Sequence, residues 1–336
     1  MHKIGCCLVL LLFPFQLPAF AQVTWRIATG YPAENFHTVN IQAFADETAQ
    51  AAAGRIKIEV HANGSLVKQP EILGAVETGK VEGGEFIMSG VAAKVPLFGL
   101  DSIPFITHGY PEARMLWQLS RRHVERELDQ RGLKLLYAVP WPPQGLYSVK
   151  PLNGSRDLKG AHFRVYNPAT KRLAELLGAS PVTVQVPELA SAFASGKLTT
   201  MVSSSVTGVE IEAWKHLKYY YDLKAWNPKN IVVVRKAVFD ALDERSRATV
   251  LAAAQRAEER GWLASEAKDS EARDKLKVMG MQVITLAPAL RENLVSISER
   301  LIRESLKGTG LAGSEIGIAF QLEKGKAQNG AQVAVK

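Results

Sequence analysis

The chain has 336 residues, with 41 lysines and arginines against 33 aspartates and glutamates, and a formal net charge of +8. This length is enough for two domains, each with its own core. The basic residues are scattered along the chain, which argues against nucleic-acid binding and fits a positive field that gathers small anions.

Residues 1–21 have the layout of a secretory signal peptide, with a short basic start, an apolar run and an A-x-A cleavage site that ends at Ala21. We predict cleavage after Ala21, the alternative being an N-terminal anchor. Cys6 and Cys7 both lie in this segment, so the mature chain is expected to lack disulfides and cysteine–metal sites. The sequence therefore predicts a soluble, exported protein.

The first half of the mature chain alternates short strands with helices, which is typical of an α/β lobe. Apolar alternation predicts the strands, and glycines or prolines mark the ends of the helices. The predicted strands are Val23–Thr29, Ile56–Val60, Val81–Ser89 and Leu133–Val139, and the predicted helices are Phe36–Ala53, Gln69–Thr78 and Glu112–Gln130.

A proline-rich stretch follows this half. Residues 140–145 read PWPPQG and precede the alternating run Leu146–Val149. Prolines stiffen the backbone and remove hydrogen-bond donors, so we interpret the stretch as a hinge or a cleft wall between two lobes.

A second α/β unit occupies residues 157–205. Its predicted strands are Ala161–Tyr166, Pro181–Val186 and Lys197–Val202, its predicted helices begin at Pro168 and Glu188, and a further helix is predicted around Glu210–Tyr219.

One arginine, Arg164, lies near the carboxyl end of a predicted strand of this unit, where α/β sheets bind ligands. A guanidinium is a planar fork of donors that matches a carboxylate. We predict that Arg164 holds a small carboxylate; the alternative is a surface arginine paired with a nearby acid.

The remaining chain is predicted to tie the two lobes together. Ile231–Val234 is expected to return to the first lobe as a strand. Leu242–Met279 has a helical composition without proline, and about 57 Å of helix would span both lobes, with Gly261 as a possible bend. A strand at Gln282–Leu286 and a helix at Pro288–Leu306 follow, and residues 308–336 are expected to form a flexible tail.

Several long segments resemble the periplasmic solute-binding subunits of TRAP (tripartite ATP-independent periplasmic) transporters, the DctP-like family. The similarity extends from Val23 to Leu306. The segments that carry it are GRIKIEVHANGSL at 54–66, EILGAVETGKVEGGEF at 71–86, LFGLDSIPFI at 97–106, and DLKGAHFRVYN at 157–167 followed by ELLGASPVTV.

The resemblance implies a two-lobed α/β fold of the periplasmic-binding-protein type (type II-like), with hinge strands and a long helix that braces both lobes. Lobe I would comprise residues 22–142 and 228–258, and lobe II residues 143–227 and 259–307. The family's arginine that pairs with the substrate carboxylate falls on Arg164.

By the same resemblance, the protein captures a small organic monocarboxylate by hinge closure and delivers it to TRAP membrane permease subunits. We expect a monomer without cofactor, metal or nucleic-acid partner. The alternatives are an exported ligand-binding subunit of a sensory system and, less favoured, a periplasmic hydrolase. The mature chain has no close-spaced histidine pair, no G-x-S-x-G elbow and no phosphate-binding loop, so we predict that it is not an enzyme.

Two departures from the family pattern bear on the ligand. Gln144 stands where sialic-acid binders carry a second arginine, and Ser203 replaces an asparagine. The PWPPQGLY and MVSSSVTG segments resemble a branch that binds small monocarboxylates, which suggests cyclic or aromatic acids such as pyroglutamate or mandelate-like compounds.

Polar and aromatic residues near strand ends complete the predicted site. A turn, a helix cap or a core position is the alternative role for each of them. The candidates, besides Arg164, are Gln144, Ser203, Ser205, Tyr147, Trp141, Tyr31, Asn35, Ser89 and Tyr166.

Overall fold

The structure is a computed structural model that describes residues 22–334. The predicted signal peptide lies outside the described residues. The strands β1 to β11 are, in chain order, Val23–Ala28, Ile56–His61, Gly83–Ile87, Leu133–Pro140, Gly145–Ser148, His162–Val165, Ser180–Thr183, Thr200–Ser203, Tyr219–Tyr221, Lys229–Arg235 and Gln282–Ile284. The helices α1 to α10 are Phe36–Ala51, Ile72–Glu77, Gly109–Asp129, Pro168–Leu176, Leu189–Ala194, Ser205–Glu210, Lys236–Asp240, Glu244–Val278, Pro288–Gly308 and Gly310–Ala334.

The first lobe is built on a five-stranded sheet with the order β2-β1-β3-β10-β4. Strands β1, β2 and β3 are parallel, whereas β10 runs antiparallel to both β3 and β4. Strand β10 comes from late in the chain, so the prediction that Ile231–Val234 returns to the first lobe is confirmed.

The second lobe contains a six-stranded sheet with the order β11-β9-β5-β8-β6-β7. Strand β6 is parallel to both β7 and β8, and Arg164 pairs in register with Val182 and Met201. Helix α4 begins directly after β6 because Asn167 accepts a hydrogen bond from the backbone N–H of Thr170. These local signals place Arg164 near the carboxyl end of β6, which lies between β8 and the edge strand β7.

Two chain segments cross side by side between the lobes. One joins β4 to β5 and the other joins β9 to β10. Their backbones are hydrogen-bonded, from Trp141 N to Pro228 O at 2.8 Å and from Gln144 N to Trp226 O at 2.9 Å. The proline-rich stretch predicted to be a hinge or cleft wall is therefore one of a pair of crossing segments.

Helix α8 is a brace along both lobes. At 1.5 Å per residue its 35 residues extend about 52 Å. It packs on α1 and β4 in the first lobe and on α6 and β11 in the second. The helix is continuous through Gly261, where a Cβ atom would lie 2.3 Å from Val139 Cγ2, so this glycine permits close packing on β4.

Two expectations for the later part of the chain differ from the structure. The prediction of a helix around Glu210–Tyr219 is wrong. Helix α6 ends at Glu210, Glu212 adopts a left-handed backbone conformation, and Tyr219–Tyr221 forms β9. Adjacent tyrosines favour a strand once β5 and β11 pair with them. Residues expected to form a flexible tail include α10, which packs on α3 and α9.

A buried ion pair lies where β10 begins. Asp101 accepts from the backbone N–H of Lys229 at 2.9 Å and lies 3.4 Å from its Nζ, and both side chains are almost fully buried. Burial raises the pKa of Asp101 and lowers the pKa of Lys229, which means that neither charge is as well solvated here as in water.

We predict that Lys229→Met lowers the free energy of unfolding by about 3–5 kcal/mol, because it leaves a buried carboxylate without its cation. Urea denaturation at neutral pH measures the change. Lys57→Met is the matched control, since the pair of Lys57 with Glu59 is exposed and should contribute less than about 1 kcal/mol. Equal effects of the two substitutions would contradict the prediction.

Candidate functional site

A cavity lies between the lobes, at the carboxyl ends of β1, β6, β7 and β8. The cavity has a volume of about 90 Å³, which suits a small molecule. The first lobe and the crossing segments contribute Gly30, Tyr31, Gln69, Pro70, Phe86, Ile87, Gly90, Val91, Trp141, Gln144 and Pro228. The second lobe contributes Arg164, Tyr166, Gln185, Val186, Pro187, Ser203, Ser204 and Thr207.

Arg164 is a buried cation in this cavity, and only 4% of the residue is exposed. Its Nε donates to Val184 O at 3.2 Å, and its Cζ lies 4.6 Å from the centre of the Tyr166 ring. No carboxylate of residues 22–326 lies within ion-pair distance of it, and no hydrogen bond of its two terminal nitrogens is found there. Burial lowers the pKa of Arg164 to about 10, so the guanidinium remains charged at neutral pH.

Gln144 is held in the cavity wall by its neighbours. Its Nε2 donates to Pro142 O at 3.0 Å, and its Oε1 accepts from the Tyr166 hydroxyl at 3.3 Å. A side-chain amide has two N–H donors and one oxygen with two acceptor positions. Gln144 is therefore fixed in orientation and keeps polar capacity for a ligand.

The serines after β8 are arranged differently from the prediction. Ser203 and Ser204 line the cavity, whereas Ser205 donates to Asp269 Oδ1 at 2.7 Å and lies outside the lining. In an extended strand Ser203 and Ser205 would share one face, but β8 ends at Ser203 and α6 begins at Ser205. Ser204 is the N-cap of α6 and accepts from the backbone N–H of Thr207.

Tyr147 also lies outside the cavity lining. Its hydroxyl donates to Ser204 O at 2.8 Å, and its ring packs on Tyr220. The side chain therefore supports the backbone of the serine segment from behind. Alternation in β5 gives no information about which face of the sheet points to the cavity.

Two more predicted contacts, Asn35 and Ser89, form hydrogen bonds between the lobes and do not line the cavity. Asn35 caps α1 and donates from Nδ2 to Glu210 Oε1 at 2.7 Å. Ser89 accepts from Asn167 Nδ2 at 3.0 Å. Both bonds join a residue of the first lobe to a residue of the second, which corresponds to a closed arrangement.

Gln69 is a cavity residue that sequence reasoning missed. It donates from Nε2 to the Tyr31 hydroxyl at 3.3 Å and accepts from Gly30 N at 2.9 Å. A Cβ atom on Gly30 would lie 2.1 Å from Gln69 Oε1, so the glycine is needed for this contact. The glycine turn after the first strand was visible in the sequence, but nothing there pairs it with a residue 39 positions later.

A layer of buried polar groups lies behind the wall formed by Tyr31 and Trp141. Trp141 Nε1 donates to Asn230 Oδ1 at 2.9 Å, and Asn230 Nδ2 donates to Glu85 Oε1 at 2.9 Å. The Thr29 hydroxyl donates to Glu85 Oε2 at 2.6 Å. Burial raises the pKa of Glu85 from 4.5 to about 7, although these hydrogen bonds oppose the shift.

A cavity between two α/β lobes, lined by one buried cation together with polar and aromatic side chains, is typical of a two-lobed protein that binds a small molecule. The family model "DctP: Bacterial extracellular solute-binding protein, family 7" matches residues 27–309, and the chain belongs to this family. The protein is thus an extracytoplasmic solute receptor of the TRAP type, as its sequence resemblance indicated.

Solved structures agree with this assignment. DctP7 of Bordetella pertussis, an extracytoplasmic solute receptor binding pyroglutamic acid, is 38% identical, with 89% of this chain and 99% of that one covered and a TM-score of 0.87. A marine metagenome TRAP solute-binding protein specific for pyroglutamate is 34% identical, with 90% and 99% covered and a TM-score of 0.87. These neighbours confirm the predicted two-lobed periplasmic-binding-protein fold.

A curated relative is more distant. A solute-binding protein of Albidiferax ferrireducens is 23% identical over 286 residues, which cover 82% of this chain and 84% of that protein. The family and these neighbours are solute-binding receptors that act outside the cytoplasm, which implies a periplasmic location. Within the described residues, no helix is both long enough and apolar enough to cross a membrane.

We predict that Glu85 makes the stability of the protein depend on pH. The native state holds the Glu85 proton more tightly than the unfolded chain does. The stabilising contribution of the Glu85 proton is therefore complete below about pH 4.5 and is lost as the pH rises through about 7, which amounts to roughly 3 kcal/mol in the free energy of unfolding.

Glu85→Gln keeps the acceptor oxygen and cannot ionise, so the variant should lose less stability than the wild type between pH 5 and pH 7.5. Urea unfolding at several pH values measures this difference. Glu299→Gln, an exposed position on α9, controls for the change in net charge. An unchanged pH dependence in Glu85→Gln would overturn the prediction.

Proposed function

We propose that the cavity captures a small organic monocarboxylate, with pyroglutamate as the leading candidate, and that the receptor delivers it to TRAP permease subunits in the membrane. The observation that carries this proposal is the buried Arg164, a cation without a counter-charge among the described residues. A carboxylate in the cavity supplies that charge and two acceptor oxygens for the guanidinium fork.

The charge of the cavity favours a single carboxylate. Arg164 is the one charged residue among the described residues that line it. A second carboxylate on the ligand would have to leave water without a cation to pair with, which is unfavourable. A dicarboxylate is therefore expected to bind more weakly than a monocarboxylate of similar size.

The rest of the lining suits a compact cyclic acid. Phe86, Ile87, Val91 and Trp141 provide apolar surface, while Gln144 and the hydroxyl of Ser203 provide donors and acceptors. A lactam has one N–H donor and one carbonyl acceptor on a small ring, so pyroglutamate matches both properties. The two similar solved proteins that bind pyroglutamate support the same candidate.

Capture in this proposal occurs by closure of the lobes. Residues 22–142 with 228–258 form one half and residues 143–227 with 259–307 the other, and the two crossing segments allow their rotation. The ligand contacts both halves and stabilises the closed state. Ser89 with Asn167, and Asn35 with Glu210, add hydrogen bonds that exist only when the halves meet.

We predict that Arg164→Met weakens pyroglutamate binding by at least about 30-fold, because the ligand carboxylate would be buried without its cation. The ligand-free variant should unfold at the same temperature as the wild type or higher, since the substitution removes a buried unpaired charge. A thermal-shift screen of the wild type against pyroglutamate, mandelate, dicarboxylates and sialic acid comes first, followed by titration calorimetry with the acids that bind.

Arg172→Met is the control for this experiment, because Arg172 lies in the same lobe but at the surface, paired with Glu304 and Glu175. It should bind the ligand as the wild type does. If Arg164→Met retained a ligand-induced thermal shift of normal size, the carboxylate would be held elsewhere and the proposal would fail.

The contact between Ser89 and Asn167 generates a separate prediction. Ser89→Ala removes the hydroxyl that accepts a hydrogen bond from Asn167 Nδ2. Because this hydrogen bond forms only in the closed state, its loss lowers the closed population. Affinity should fall roughly 2- to 13-fold, by the same factor for every acid that binds.

The control for Ser89→Ala is Ser120→Ala, which removes a buried hydroxyl from within one lobe and should leave affinity unchanged. Calorimetry with two different acids provides the comparison. A change in the preference between the two acids would show that Ser89 contacts the ligand directly.

A further inference from the structure

Two side chains of the cavity wall are hydrogen-bonded to one residue that does not line the cavity. Asn230 Oδ1 accepts from Trp141 Nε1 at 2.9 Å and from the Tyr31 hydroxyl at a longer 3.5 Å. Asn230 is 1% exposed, and Tyr31 and Trp141 are also buried. The amide oxygen of Asn230 is therefore a common acceptor for the polar atoms of both aromatic residues.

Glu85 fixes which way the Asn230 amide faces. Its Oε1 accepts from Asn230 Nδ2 at 2.9 Å, while its Oε2 is occupied by the Thr29 hydroxyl. His37 Nδ1 lies 3.3 Å from the same Oε1. With the NH₂ group directed to a carboxylate, the amide oxygen of Asn230 points to the aromatic residues.

The indole ring of Trp141 is packed among three aromatic rings. The Trp141 ring lies 5.2 Å from the Tyr31 ring, 5.4 Å from the Phe36 ring and 4.4 Å from the His37 ring, measured between centroids. These apolar contacts confine the ring but do not satisfy a buried donor. A buried N–H without a partner is unfavourable, so the bond to Asn230 selects the orientation in which the N–H points away from the cavity.

We infer that Asn230, held by Glu85, is a positioning residue for ligand binding. It acts through Trp141 and Tyr31 and keeps an apolar indole face, rather than its N–H, towards the ligand. The inference rests on the proposed function of the cavity, and it adds a residue that determines affinity without contact with the ligand. Without Asn230, the indole N–H of Trp141 and the hydroxyl of Tyr31 would turn towards the ligand and replace apolar contact surface with polar groups.

A double-mutant cycle tests the inference by titration calorimetry with pyroglutamate. Asn230→Ala should weaken binding at least about fivefold in the wild-type background, as expected when buried donors lose their acceptor. In a Tyr31→Phe/Trp141→Phe background both donors are already absent, so the same substitution should change affinity less than about twofold. A purely structural role, or a direct contact with the ligand, would give equal losses in the two backgrounds and would overturn the inference, as would no loss in either.

A charge-conserving exchange covers the case in which Asn230→Ala does not fold. Asn230→Asp alone places two carboxyl groups against each other and should bind more weakly. Asn230→Asp combined with Glu85→Gln restores a donor–acceptor pair and keeps an oxygen facing the aromatic residues. The combined variant should bind within about twofold of the wild type, and the inference is wrong if it binds no better than Asn230→Asp alone.

A measurement without ligand separates this inference from the proposed function. The chain has six tryptophans, so the indole N–H signal of Trp141 can be assigned in a spectrum of ¹⁵N-tryptophan-labelled protein by its loss in Trp141→Phe. Asn230→Ala should shift this signal and accelerate its hydrogen exchange. An unchanged signal would refute the role of Asn230, whereas a shifted signal together with no pyroglutamate binding by the wild type would reject only the ligand.

Discussion

In the proposed function, binding depends on the ion pair that the buried Arg164 can form with the ligand. A charged group that is removed from water is unfavourable unless it is paired and hydrogen-bonded. The protein gives Arg164 one internal hydrogen bond, from Nε to Val184 O, and no counter-ion within the described residues. In the proposed function the carboxylate of the ligand completes this pair. The same charge that destabilises the empty closed state therefore contributes to ligand affinity.

Closure requires two lobes that move as units and meet with complementary groups. Two hydrogen-bonded crossing segments connect the lobes, and α8 packs against elements of both. Asn35 and Ser89, predicted as ligand contacts, instead bond to Glu210 and Asn167 across the lobes. In the proposed function, contacts of this kind affect how readily the protein closes, whereas the cavity residues determine which acid it binds.

Buried polar groups near the cavity form a second layer with its own electrostatics. Glu85 and His37 are both enclosed; burial raises the pKa of Glu85 and lowers that of His37. Only 1% of Asn230 is exposed, and it connects this layer to the aromatic wall. In the proposed function, the ligand meets an apolar surface whose orientation is fixed by the polar groups behind it, as supporting contacts hold a binding site in place.

The sequence by itself determined the features that arise from local chemistry. Period-two alternation, proline and glycine signals and a helix-forming run fixed most strands, the long brace and the position of Arg164 at a strand end. Only the tertiary structure decided that Ser204 faces the cavity while Ser205 bonds to Asp269, and that Gln69 and Asn230 support the aromatic wall. These contacts join residues far apart in the chain, and local periodicity carries no information about which distant side chain completes a hydrogen bond or at which residue a strand turns into a helix.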